Sequence, residues 1–380
     1  MSSQKTTYFF HQHAHTMHKS KWLRFAAPAL LFSLTVLWVR CGHPADAQAT
    51  EKQKQPTSTF NTHIKSDMTH KIKALSEQHH PWVVGIRRHL HAHPELSGHE
   101  KETMTHISKI LTELGIEHRT MVGGMYSVVA IIEGRNPKKR RVVLRADNDA
   151  LPIQEANDVP YKSKNPGISH KCGHDGHTAN LLGTARILHE LRNEWEGTIV
   201  CIWEPHEEVL PGGAPSLIEA GVLDGASACI GLHVDPKLHI GTIGIKSGPY
   251  MASIDELHVT CIGKGAHGGS GVHESKDPIL AQAYLLVALE QLKAHNCNSL
   301  TPMALSFGRV EGGNACNVIP DTVRLLGTLR TLDDEWRNRA HTRLIEIAEG
   351  VSKMTGVSID FHIKKGHPVV VNDPDLTNLV

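Results

Sequence analysis

The chain has 380 residues, a formal net charge of +1 at pH 7, and 40% hydrophobic against 21% charged residues. The balanced charge excludes a nucleic-acid binder that relies on a broad basic surface, so no nucleic-acid partner is expected. The composition is that of a folded globular protein, and at about 150 residues per domain the length predicts two domains. Histidine is frequent, with 29 residues, so histidine motifs arise by chance more often here than in an average chain.

Residues 1–49 have the features of an export signal. Residues 1–24 carry basic but no acidic side chains, an apolar stretch follows at 25–39, and small residues at 45–49 suit a cleavage position. The apolar stretch is shorter than the roughly 20 residues that a membrane span needs. These features predict a periplasmic or secreted protein with no membrane attachment after cleavage. The alternative is a protein anchored through an uncleaved signal.

A polar linker is predicted at 50–68, and after it strand and helix patterns alternate. Four short β-rich runs and one helix with apolar spacing occupy 127–133, 141–145, 177–192 (the helix), 198–203 and 226–232. Alternation of this kind predicts an α/β domain with a largely parallel sheet. The first part of this domain is assigned to 69–250.

A second unit is predicted at 251–365. Its pattern is strand 256–262, helix 279–293, strands 303–310 and 322–329, helix 334–354 and strand 357–363. The order β-α-β-β-α-β is the split βαβ arrangement of a ferredoxin-like sandwich. Residues 366–380 would then return to the first domain.

Side chains capable of binding metal follow several of the predicted strands. Asp147 and Asp149 follow one strand, Glu207 and Glu208 another, and His233 a third. Cys172, His174 and His177 stand just before a helix, where a thiolate and an imidazole can bind a metal such as zinc. Each motif alone also fits a buried cysteine near surface histidines or an exposed acidic loop. Their shared placement at one sheet edge favours a metal-activated hydrolase.

Seven motifs in a fixed order resemble one family. They are RHLHAHPELS at 88–97, LRADNDALPI at 144–153, KCGHDGH at 171–177, EPHEE at 204–208, GLHV at 231–234, GKGAHG at 263–268 and NVIPD at 317–321. The chain resembles the metal-dependent amidohydrolases that include hippurate hydrolase, N-acyl-amino-acid hydrolases and auxin-conjugate hydrolases. Carboxypeptidase G2 and aminoacylase are more distant relatives. The resemblance covers about four-fifths of the chain.

The resemblance implies a zinc-exopeptidase-like catalytic domain with an inserted ferredoxin-like lid that also forms a homodimer. It implies two divalent ions, zinc or manganese, with cobalt or nickel as alternatives. Small N-acyl amino acids or related amides are the implied substrates.

The resemblance also implies roles for individual residues. Cys172, His174, Glu208 and His233 fall on metal-ligand positions. Glu207 falls on the general base, Asp149 on a carboxylate that supports the centre, and His267 on a lid histidine that helps hold the substrate. His177 is either structural or an indirect support of the metal ligands.

The chain departs from the family pattern at several positions and, most of all, at its end. Asn148 stands where relatives usually have Met. Relatives also continue beyond the equivalent of Val380, with a segment that completes the catalytic sheet and supplies a further metal-binding histidine. The expectation is therefore a truncated chain, for which the alternative function is a non-catalytic remnant that only binds metal or dimerises. A further alternative is a periplasmic metal-binding protein built on the histidines at 11–18.

Overall fold

The computed structural model describes residues 34–38 and 66–380. Most of the predicted export signal and linker therefore lies outside the described residues. Residues 34–38, from the apolar stretch of that signal, form a strand, and the first helix begins at Ser66, within the range of the predicted linker. Across the described ranges no helix is both long and apolar enough to cross a membrane.

The first sheet is mixed and lies between helices. Its strands are β1 (Leu34–Trp38), β2 (Glu117–Thr120), β3 (Val128–Glu133), β4 (Arg141–Asp147), β5 (Thr198–Glu204), β6 (Ala228–Val234) and β7 (Ile243–Gly244). The helices around it are α1 (Ser66–Ala92), α2 (Lys101–Glu113), α3 (His174–Glu190) and α4 (Ala214–Glu219). The strand order is β2-β3-β5-β4-β6-β1-β7.

Three parallel strands, β5, β4 and β6, form the centre of this sheet. Their neighbours β3 and β1 run antiparallel to them. The four β-rich runs predicted from the sequence are β3, β4, β5 and β6, and the predicted α/β class is confirmed. Because β4, β5 and β6 point the same way, their carboxyl ends meet at one edge.

Alternating side chains of the strands supply two cores, one on each face of the first sheet. Val128, Ala130 and Ile132 of β3 join the core that includes Leu182 of α3, whereas Val129 joins the core on the opposite face. Burial on both faces explains why these strands read as continuous apolar runs.

The second-sheet unit (residues 255–365) has the predicted order β-α-β-β-α-β. Its main elements are β9 (Asp255–Ile262), α5 (Pro278–Gln291), β11 (Met303–Glu311), β13 (Thr322–Thr331), α6 (Asp334–Thr355) and β14 (Ser358–Lys365). Shorter or flanking elements are β8 (Gly248–Met251), β10 (Ala266–His267), β12 (Val318–Ile319), β15 (Val370–Asn372) and α7 (Pro374–Thr377). The unit occupies most of the range that the sequence assigns to a lid, 251–365.

All neighbours in the four-stranded sheet, in the order β11-β13-β9-β14, are antiparallel. Helices α5 and α6 pack on this sheet through a core that includes Leu257, Leu285, Leu325 and Leu344. The chain enters the unit after β8 and leaves it before β15, and these two strands pair with each other. Entry and exit are therefore side by side.

Candidate metal centre

The carboxyl edge of the parallel strands collects the polar side chains that the sequence singles out. Asp147 is the last residue of β4, His233 is the penultimate residue of β6, and His174 is the first residue of α3. The segment that carries Glu207 and Glu208 follows the end of β5 at Glu204. This edge is where open α/β sheets bind ligands.

Asp147 joins several of these groups although it is almost completely buried. One oxygen accepts a 2.7 Å hydrogen bond from Arg145 Nη1, and the other lies 2.6 Å from His177 Nδ1. Burial alone would raise the pKa of Asp147, but the charge of Arg145 together with His174 and His177 outweighs it and holds that pKa well below its ordinary range. His177 Nε2 accepts from Val234 N at 2.9 Å, so both its ring nitrogens are engaged. These contacts fix the His177 ring beside Asp147 and His174, with which it forms one of the groups suited to metal binding.

Cys172 and His233 face each other across the start of α3. The Cys172 Sγ lies 3.3 Å from His233 Nε2, and His233 Nδ1 lies 2.7 Å from the Val234 carbonyl oxygen, to which it donates. Gly173, which follows Cys172, has φ +93°, and a Cβ there would come within 2.3 Å of Val234 Cγ2, so only glycine fits. Burial raises the pKa of the Cys172 thiol and lowers that of His233.

His174 is fully buried and lies among carboxylates. Its Nδ1 is 3.0 Å from Asp149 Oδ1, and its Nε2 is 3.7 Å from Glu208 Oε1 and 3.9 Å from Glu207 Oε2. Burial raises the pKa of Glu207 to about 7, with a further contribution from the nearby Asp147 charge. With Asp147 Oδ2, which lies 3.6 Å from His174 Nε2, four carboxylates surround this histidine.

The ligand atoms of Cys172, His174 and His233 lie within 4.8 Å of one another, and His174 belongs to two further groups of this kind, one with Asp147 and one with Asp149. His174 Nε2 and Glu208 Oε1 are buried without a hydrogen-bond partner. Buried polar atoms without partners are costly unless a ligand satisfies them. A divalent cation would satisfy both atoms and balance the negative charge, so the residues present fit a metal.

A second layer of contacts, which the sequence reasoning missed, holds the start of α3 in place. Asp175 accepts from Arg87 Nε at 2.8 Å and lies 2.7 Å from His91 Nδ1. The other nitrogen of His91 lies 3.0 Å from Glu155 Oε1. Arg87 directly precedes the first family motif and His91 lies within it, so the motif itself was the available signal. Asp149 is held in a similar way, because Ser97 Oγ donates to its Oδ2 at 2.6 Å.

His267 lies apart from these groups. It is exposed in β10, and its Nδ1 accepts from Gly269 N at 3.1 Å. Within the described part of the chain, the groups suited to metal binding do not include His267. Its role in holding substrate stays a prediction.

Comparison with known proteins places the chain in a family. Residues 143–380 match peptidase family M20/M25/M40. An N-acetyl-L-cysteine deacetylase of Bacillus subtilis is 43% identical over 300 residues, which cover 78% of this chain and 71% of that protein. An N-acyl-L-amino acid amidohydrolase of Geobacillus stearothermophilus is 40% identical over 304 residues, covering 79% of this chain and 80% of that protein.

The chain belongs to peptidase family M20/M25/M40. It is an enzyme of the amidohydrolase and peptidase type, as the sequence predicts. A crystal structure of a Bacillus subtilis protein, described as a dinuclear metal-binding peptidase of the M20 family, superposes with a TM-score of 0.67 and 38% identity. The match covers 80% of this chain and 78% of that one. A two-metal site therefore occurs within the family at this level of similarity.

Proposed function

We propose that this M20-family chain hydrolyses the amide bond of N-acyl amino acids or related small amides. The observation that carries the proposal is the cluster of Cys172, His174 and His233, whose ligand atoms lie within 4.8 Å of one another beside the unpartnered Glu208 Oε1. The substrate class is supported by the names of the two relatives, which are a deacetylase of N-acetylcysteine and an N-acyl-amino-acid amidohydrolase.

Cys172, His174, Glu208 and His233 are the proposed ligands of two divalent ions. Thiolate, imidazole and carboxylate together suit zinc or manganese, with cobalt or nickel as alternatives. When bound, such ions lower the pKa of water and polarise a substrate carbonyl oxygen. Asp149 supports the site, because it contacts His174 with one oxygen and accepts the Glu208 N–H with the other, at 2.9 Å.

Glu207 is the proposed general base. Its carboxylate lies at the edge of the cluster, 3.9 Å from His174 Nε2, and burial raises its pKa to about 7. A carboxylate with a raised pKa accepts a proton from the attacking water more readily than an ordinary one. It can then return this proton to the leaving amine, which departs as a neutral group.

The proposed homodimer forms through the second-sheet unit. Helix α5 exposes the apolar side chains of Ile279, Leu280, Tyr284 and Val287, with Val287 74% exposed. An apolar surface of this kind is typical of a contact face. In the dimer, His267 would help hold the substrate. Sedimentation of wild-type chain and Val287→Glu tests this, since an unchanged mass would contradict it.

Export through residues 1–49 is also proposed, on the basic start and the apolar stretch of the sequence. The mass of the mature chain recovered outside the cytoplasm measures whether the signal is removed. A full-length chain in the membrane fraction would instead support the anchored alternative.

The test of the catalytic proposal compares Glu207→Gln with the wild-type chain, each supplied with zinc or manganese. N-acetylcysteine and hippurate serve as substrates, and bound metal is measured by mass spectrometry. We expect two ions per chain in both proteins, and a decrease in kcat of about 10²- to 10⁴-fold in Glu207→Gln. Glu219→Gln, which alters an exposed glutamate of α4, is the matched control and keeps wild-type turnover.

Retained turnover in Glu207→Gln would exclude Glu207 as the base. Absence of turnover in the wild-type chain despite two bound ions would contradict the proposed reaction while leaving the metal site intact.

A further inference from the structure

Glu100 is a buried carboxylate that contacts the segment preceding Glu207. It is completely buried and stands at the N-cap of α2, yet its side chain does not cap that helix. Its Oε1 instead accepts two backbone hydrogen bonds of 2.8 Å each, from Gly98 N and from His206 N. Its Oε2 has no partner. One oxygen of Glu100 therefore joins the loop before α2 to the loop after β5.

His206 has a backbone conformation that side chains rarely adopt. Its φ is +62°, in the left-handed region, and it directly precedes Glu207. Non-glycine residues in this region cost of the order of 1–3 kcal/mol and persist where surrounding contacts determine them. The hydrogen bond from His206 N to Glu100 is such a contact, because it fixes the peptide group on the amino side of His206.

Keeping a carboxylate at this position is costly for the protein. Burial raises the pKa of Glu100, although the N–H groups of Gly98 and His206 favour its charged form. A buried carboxylate with one unpartnered oxygen is expected only where its contacts are needed. The contact that sets Glu100 apart from an ordinary helix cap is the one to His206.

We infer that Glu100 is a positioning residue, which holds His206 in the left-handed conformation and thereby fixes where the Glu207 carboxylate lies. This inference rests on the proposed function of Glu207. It concerns the backbone of residues 204–208 and requires no contact between Glu100 and substrate or metal. The carboxylate of Glu207 would otherwise be displaced from the cluster.

The experiment compares Glu100→Ala with Glu100→Gln, whose amide oxygen can still accept both N–H groups. We expect kcat to fall by about 100-fold in Glu100→Ala, with KM and bound metal nearly unchanged, since a misplacement near 1 Å can have this effect. The kcat of Glu100→Gln should stay within about tenfold of wild type. Even if one of the two hydrogen bonds were lost, a single bond contributes only about 1 kcal/mol. Glu102→Gln, an exposed residue of the same turn, is the control.

A second substitution separates positioning from general structural support. Glycine adopts the left-handed region without strain, so His206→Gly added to Glu100→Ala should restore at least about tenfold of the lost kcat. If Glu100 only supported helix α2, the His206→Gly substitution would not restore kcat. If Glu100→Ala does not fold, Glu100→Asp replaces it: aspartate caps a helix well but is one methylene too short to reach His206 N.

Hydrogen exchange of the 204–209 peptide provides a readout that is independent of turnover. It should accelerate in Glu100→Ala and remain slow in Glu100→Gln. Wild-type kcat in Glu100→Ala or Glu100→Asp, or no rescue by His206→Gly, would overturn the inference. If the wild-type chain hydrolyses no amide, the proposed function fails, and unchanged exchange in Glu100→Ala would then overturn the inference separately.

Discussion

Each of the two larger sheets lies beside a buried cluster of charged side chains, and the clusters differ in whether their polar atoms have partners. At the edge of the first sheet, His174 Nε2 and Glu208 Oε1 are buried without hydrogen bonds. In the second-sheet unit, Asp255 accepts from Arg337 Nε at 2.9 Å and from Gly366 N at 3.2 Å. Among the described residues, neither Asp255 nor Arg337 has a buried polar atom without a partner.

This difference separates a binding site from a structural contact. The Arg337 Nη2 atom also donates to the carbonyl oxygens of Ile254 and Gly366, which lie where the chain enters and leaves the second-sheet unit. Arg337 and Asp255 therefore join helix α6 to the segments at which the chain enters and leaves the unit. The first cluster has two unpartnered atoms, one on an imidazole and one on a carboxylate, and both are of the types that a metal ion can satisfy.

The largest expected effect follows from removing the central residue of the first cluster. Substituting residues that only orient metal ligands already lowers metal affinity or activity about 10- to 100-fold. His174→Ala, which removes a proposed ligand itself, should therefore lower amide hydrolysis by more than about 100-fold. Zinc should raise the melting temperature of the wild-type chain but not of this variant, because binding to the folded state stabilises it. His189→Ala, on the same helix, is the control. Equal zinc stabilisation of wild type and His174→Ala would exclude His174 as a ligand.

The contrast between the clusters also shows how far the sequence can be interpreted. The strands β3 to β6 follow from continuous apolar runs, and the placement of Asp147, Glu207 and His233 follows from the rule that parallel strands end at one edge. The pairing of Arg337 with Asp255 does not follow, because 82 residues separate them and no local pattern encodes which long-range partner a charge finds.

The same limit applies to helix α3, which is predicted from 177 but begins at His174. The reason is the left-handed Gly173, whose close approach to Val234 could not be anticipated from spacing alone. The helix therefore starts within the metal motif, and this places His174 and His177 in its first turn.

The second cluster should respond through stability alone. Arg337→Met leaves a buried carboxylate without its main partner, for which we expect a loss of about 3–5 kcal/mol in the free energy of unfolding. Arg343→Met, which breaks an exposed pair with Glu346 on the same helix, should cost less than about 1 kcal/mol. Urea unfolding followed by circular dichroism measures both. Equal losses would mean that the buried pair contributes no more than a surface one.

Acid should weaken the second cluster in a defined range of pH. Burial alone would raise the pKa of Asp255, but hydrogen bonds from His341 and Arg337 outweigh it and keep that pKa well below its ordinary range. Because the folded pKa is depressed, ionised Asp255 stabilises the fold above its unfolded pKa of about 4, and this contribution is lost as the pH falls toward the folded pKa.

The difference in free energy of unfolding between wild type and Asp255→Asn should therefore be largest near neutral pH. It should shrink as the pH falls below about 4. Asp360→Asn, an exposed carboxylate of β14, should show no such trend. A difference that stays constant down to pH 3 would contradict the depressed pKa.

Asn148 tests whether a buried atom without a partner always indicates a binding site, because Asn148 is not among the proposed metal ligands. It is 1% exposed between Asp147 and Asp149, and both amide atoms are buried without partners. Methionine, the residue that the family resemblance leads us to expect here, has no polar hydrogen to satisfy. If the amide has no ligand, Asn148→Met should raise the free energy of unfolding by about 1–3 kcal/mol, the cost of a buried unsatisfied group.

Turnover decides what that gain means. Higher stability with unchanged kcat and KM would show that the unpartnered Asn148 amide only destabilises the fold. A buried atom without a partner would then indicate a binding site only where its side chain can bind a metal, as those of His174 and Glu208 can. A rise in KM without any gain in stability would instead show that Asn148 contacts substrate, and the residues that bind substrate would then include the one that directly follows β4.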